Sequence, residues 1–86
     1  MRKPIEVIAH YGADGEIQPL RFRYENEEHR LVRVIIDRII SKNEVSYVGI
    51  EAFVFLCRAT EEEQRHMFEL RYEVRSHSWT LQDIIY

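Results

Sequence analysis

Eighty-six residues, 45% hydrophobic and 31% charged with 3 Gly and 2 Pro, suffice for one modest core; they exclude a second domain and a disordered chain. A formal charge of −3 opposes the balance that phosphate-backbone binders need, so non-specific nucleic-acid binding is disfavoured, although a local basic patch survives the sum. One cysteine, Cys57, rules out an intrachain disulfide, and no apolar run approaches the roughly eighteen residues of a membrane helix.

The start, Met1-Arg2-Lys3-Pro4, precedes only a short apolar stretch interrupted by Glu6, which is unlike a signal peptide and makes a soluble cytoplasmic protein the default expectation. Residues 5–11 have β propensity and loose alternation. They end in Gly12-Ala13-Asp14-Gly15, a hairpin signal whose loop exceeds two residues. Leu20, Phe22 and Tyr24 then alternate with Arg21, Arg23 and Glu25 at a period of two, so the first three are expected in the core and the arginines outside. Asn26-Glu27-Glu28 turns the chain.

Residues 29–40 resume with Val32, Val34 and Ile36 on one face, and the phase slips through Asp37, which suggests a bulge. Leu31, Val34, Ile35, Arg38 and Ile39 also fit helical spacing. Six Val or Ile residues in that stretch favour strand. Residues 41–50 form the longest irregular connection, with Gly49 a plausible corner. Residues 52–58 are apolar on both faces, as a doubly covered strand requires.

Thr60-Glu61-Glu62-Glu63-Gln64 is a charged hairpin loop. Its Thr60-x-x-Glu63 resembles a capping box, yet Phe68, Leu70, Tyr72 and Val74 alternate without a break, so strand follows. Ser76-His77-Ser78 turns the chain into a last strand over 79–86. Six strands joined mainly by short loops predict an all-β antiparallel meander. In so short a chain, 1–86 must curl into a single small barrel, SH3-like or partly open.

From Pro19 onward the pattern resembles a small bacterial all-β family of unknown function. It has a Pro-x-x-Phe-type strand (Pro19, Phe22), a Val-rich strand (Val32, Val34), a Tyr/Phe-x-Leu strand (Phe68, Leu70) and a final Trp-x-Leu strand (Trp79, Leu81). Tyr47 and Val48 stand where the middle of that pattern would have a Trp. Some members are encoded beside error-prone DNA polymerases, so the resemblance implies a bacterial protein and a link to nucleic-acid metabolism.

Catalytic and metal signals are weak. His10, His29, His66 and His77 show no ligand spacing, no nucleophile stands beside a base, and no phosphate-binding glycine motif occurs, so no enzyme activity, metal or cofactor is expected. Cys57, flanked by apolar residues, reads as a buried thiol, and Trp79 as core in preference to a stacking platform. Ten of the twelve basic residues are Arg. Arg21 and Arg23 share one strand face, and so do Arg71 and Arg75. Were the strands adjacent, these four would line an outward stripe. Glutamates interspersed among them favour ion pairing across a solvated face instead.

The first functional expectation is therefore a non-enzymatic barrel acting through contacts with a protein partner or through self-association, a homodimer included. Its apolar edges at 5–11 and 81–86 invite pairing. Single-stranded nucleic-acid binding on the Arg face is the alternative, and a small-ligand-binding barrel a further one.

Overall fold

A computed structural model describes residues 2–85. Six strands, β1 (Lys3–Tyr11), β2 (Ile17–Glu25), β3 (Leu31–Tyr47), β4 (Ile50–Glu61), β5 (Gln64–Glu73) and β6 (Ser78–Ile85), form a closed antiparallel barrel in sequence order. The barrel closes because β6 returns to β1 along Lys3↔Leu81, Pro4↔Thr80 and Ile5↔Trp79. Residues 5–11 and 81–86, expected as free edges, thus contribute Ile5 and Leu81 to the closing seam; residue 86 lies outside the described residues.

The period-two pattern works as the alternation rule requires. Phe22, Tyr24, Val32, Val34, Phe55, Cys57, Phe68, Leu70, Trp79 and Leu81 point inward and are buried. Phe22 meets the edge of the Phe68 ring at a centroid distance of 5.4 Å, and Trp79 packs on Tyr72 at 4.8 Å and on Phe55 at 5.6 Å. Every position that carries the Pro-x-x-Phe to Trp-x-Leu resemblance, Pro19 included, is buried in this core.

Two expectations are corrected. Residues 41–50 are not irregular: β3 continues to Tyr47 and the chain reverses through Val48-Gly49 into β4. Ser41, Asn43 and Glu44 have little strand preference of their own, but they lie opposite Leu56, Val54 and Phe53, and that strong partner strand overrides local propensity. Leu20 is not core but 46% exposed. The register passes from Ile8↔Arg21 to Ala9↔Pro19, so Leu20 is an extra residue on β2 and the alternation changes phase there.

The bulge expected at Asp37 is present, and a second shift follows at Ile40. Above Arg21↔Ile35 the pairing of β2 with β3 stops, since Pro19 offers no N–H and the Leu20 bulge turns β2 aside. The two strands splay. Into the opening reaches Lys42 of β3, whose Nζ lies 2.6 Å from Glu16 Oε2 and 4.5 Å from the centre of the Phe53 ring.

Candidate interaction surface

The barrel order decides what the arginines can do. β2 lies between β1 and β3, whereas β5 lies between β4 and β6, on the other side of the molecule. Arg21 and Arg23 therefore do not meet Arg71 and Arg75, and the four-arginine stripe does not form. Arg71 is half-buried near Glu73 (3.7 Å), between Val54 and Thr80 of the adjoining strands. Arg75 lies past the end of β5, in the turn.

Arg33 takes the place of the distant pair. The register sets Ile8, Arg21 and Ile35 in one outward row across β1, β2 and β3, and Glu6, Arg23 and Arg33 in the next. Like charges opposed across strands repel, so Arg23 facing Arg33 is unfavourable taken alone. Glu6, on the other flank of Arg23, pairs with it at 2.5 Å and relieves that repulsion. Arg21 and Arg33 make no ion pair or side-chain hydrogen bond with any described residue.

Ile8 and Ile35, 52% and 59% exposed, frame the two arginines. Together these rows line a shallow depression of about 480 Å³. It holds apolar side chains beside cationic groups that lack a counter-ion. Arg33 could have been found from the sequence by folding the chain about Glu28, which sets position 23 opposite 33. Ile8 could not, because the Leu20 bulge shifts its row.

A second groove, about 790 Å³, opens where β2 and β3 splay and is lined by His10, Glu16, Ile17, Ile39, Lys42 and Phe55. At the opposite end of the barrel the Tyr24 hydroxyl donates to Glu61, and His66 Nε2 lies 3.9 Å from the same carboxylate. His29 Nδ1 lies 2.7 Å from Glu25, and His77 shares a 3.0 Å hydrogen bond with Tyr72. Each of these three histidines thus has a local partner. Among the described residues no three His, Cys, Asp or Glu side chains stand together as a metal site would need.

Cys57 is fully buried, and desolvation pushes its thiol up to about 12 from an ordinary 9.0. Trp79 is buried on Tyr72 and Phe55 and presents no face for stacking. No helix of the described residues is long and apolar enough to cross a membrane. Neither a scan of family models nor searches of curated proteins and of solved structures finds a match for this chain.

Proposed function

We propose that the chain is a non-enzymatic binding module. Its outer β1–β2–β3 face takes an extended protein segment in which carboxylates alternate with apolar side chains along one and the same face. The observation that carries this reading is the pair Arg21 and Arg33, without counter-ions and framed by Ile8 and Ile35. An extended segment spaces the side chains of one face by about 6–7 Å, so a carboxylate and an apolar residue two positions apart reach successive outward rows, as Arg33 and Ile35 do on β3. The apolar residues then cover the isoleucines.

Nucleic acid also offers anions to these arginines, as phosphates, but has less support. Phe22 and Tyr24 point inward and Trp79 is buried, so the patch has no aromatic platform for bases. The barrel axis is filled by Phe22, Phe55, Phe68, Leu70 and Leu81, which makes the outer face the stronger candidate for any ligand.

The test uses a fluorescent peptide of Glu-Ser-Leu-Ser repeats, which carries Glu and Leu on one extended face, its Gln/Leu counterpart and an oligothymidine, titrated by anisotropy at low and moderate salt. Binding of the Glu/Leu peptide alone is expected, weakened by salt and weakened about tenfold or more in Arg21→Ala plus Arg33→Ala, since each charge-assisted bond contributes about 1.5–3 kcal/mol. Equal binding of the Gln/Leu peptide, tighter binding of the oligonucleotide, or no effect of the double substitution would overturn the reading.

A further inference from the structure

β3 outruns its neighbour. β2 pairs only with residues 31–35, so from residue 36 to Tyr47 the strand is paired on its β4 side alone. Such an edge is a template for another strand. The two bulges, at Asp37 and Ile40, spoil its first part. Residues 41–47 pair with β4 without interruption, from Ser41↔Leu56 to Tyr47↔Ile50, and so present a regular edge. This edge lies apart from the arginine face and carries an argument of its own.

The edge reads Ser-Lys-Asn-Glu-Val-Ser-Tyr, with two charges, Lys42 and Glu44. They lie opposite Phe55 and Phe53, which places both on the same side of the sheet. A lysine on the inner side normally guards an edge against indiscriminate pairing, because the incoming strand must leave the ammonium without a partner. The exception is a strand that brings a carboxylate to the opposing position.

A second copy of β3 does that in one register. Opposed side chains in a symmetric antiparallel pair must point to the same side, so the two-fold axis passes through a residue and not between two. An axis at Lys42 sets lysine against lysine, and one at Glu44 sets glutamate against glutamate. With the axis at Asn43, Lys42 of each copy faces Glu44 of the other, Ser41 faces Val45, and the two Asn43 side chains meet.

We infer that residues 41–45 of β3, within this regular edge, pair across the axis of a symmetric homodimer with Asn43 on it. Pairing joins two barrels into one continuous sheet through self-complementary surfaces, as an isologous contact requires. Lys42 exchanges its exposed partner Glu16 for Glu44 of the second copy. Tyr47, 63% exposed, and the adjoining Val48 and Ile50 extend the apolar surface beside the new seam.

Sedimentation of the full chain from low to high micromolar concentration tests this. The native chain is expected to show concentration-dependent dimerisation. Glu44→Lys alone and Lys42→Glu alone, each opposing like charges, should raise the dimer dissociation constant about tenfold. The decisive arms are charge exchange: the double substitution Lys42→Glu plus Glu44→Lys regains the homodimer, and mixing the two single variants yields a heterodimer. Circular dichroism establishes that each variant is folded. If Lys42→Glu unfolds through loss of its Glu16 contact, the double variant shares that loss, and Glu44→Lys against the native chain and against Glu44→Gln decides: the lysine must weaken the dimer more than the glutamine. A native chain that stays monomeric throughout, or single variants that dimerise like the native chain, would overturn the inference.

Discussion

Val48 holds φ at +47° and is 91% exposed, so a β-branched side chain occupies the left-handed region at the tip of the β3–β4 hairpin. With Gly49 at +78° it makes a two-residue loop of the primed kind, whose first position prefers Asn, Asp or Gly. A left-handed non-glycine residue costs about 1–2 kcal/mol, and Val is among the least suited. Val48→Asn should therefore stabilise the fold by about 1 kcal/mol, raising the melting temperature by about 4–8 °C. Thermal denaturation followed by circular dichroism checks it. An unchanged or lower midpoint would mean that the exposed Val contributes contacts in the isolated chain.

Cys57 gives a second test at this scale. Its folded-state value is raised to about 12 by burial, whereas the unfolded thiol ionises near 9. Below pH 9 the thiol is protonated in both states and adds no pH dependence. From pH 9 to about 12 the unfolded state alone loses the proton, so the contribution of Cys57 to stability falls as pH rises. Cys57→Ser removes this slope at the expense of a buried hydroxyl. Denaturation midpoints of the two proteins across that window should differ in their pH dependence. A thiol reagent should modify the native chain only as fast as it opens.

β2 shows how far a strand can be read from sequence and where the reading fails. Phe22 and Tyr24 are legible as inward and Arg21 and Arg23 as outward, because the period of two is intact from Arg21 onward. Leu20 belongs to the same apparent alternation and faces solvent, since a bulge inserts one residue without altering composition. Its cause is visible only with β1 in place. Leu20 and Phe22 should therefore behave differently. Leu20→Ser should cost under about 0.5 kcal/mol, as exposed substitutions do, whereas Phe22→Ala should cost about 3–5 kcal/mol. Urea denaturation distinguishes them; comparable losses would require Leu20 to lie inside. Residues 41–47 failed for the opposite reason, a weak local preference overruled by the apolar strand beside it.

Curling of the whole molecule follows from arithmetic that the sequence carries: six strands on one small core must bend round it, and the Val-, Phe- and Leu-rich phases name that core. Closure does not, because residues 5–11 and 81–86 read as free edges until β6 meets β1. Which arginines meet follows only in part. The hairpin about Glu28 sets Arg33 opposite Arg23, but the strand order around the barrel, which sends Arg71 to the far side, is not in the local pattern. The same topology makes stability uneven. β4 pairs with the whole of β5, from Ala52↔Glu73 to Glu61↔Gln64, over the buried Phe55, Cys57, Phe68 and Leu70. The seam between β1 and β6 runs only from Lys3↔Leu81 to Ile5↔Trp79, and β2 parts from β3 beyond Arg21. Lifting of β1 with the first half of β2 breaks the short seam and exposes mainly Ile17 and the half-buried side chains of β1, while Phe22 and Tyr24 stay packed against β3. Complete unfolding of so small a domain requires about 5 kcal/mol or somewhat more. Amide hydrogen exchange should therefore resolve two classes. Amides of β4 and β5 around Cys57 and Phe68 should exchange only with global unfolding. Those of β1 and the first half of β2 should exchange through a smaller opening, by about 2 kcal/mol or more. Uniform protection across all six strands would show that the seam, short as it is, opens only when the core does.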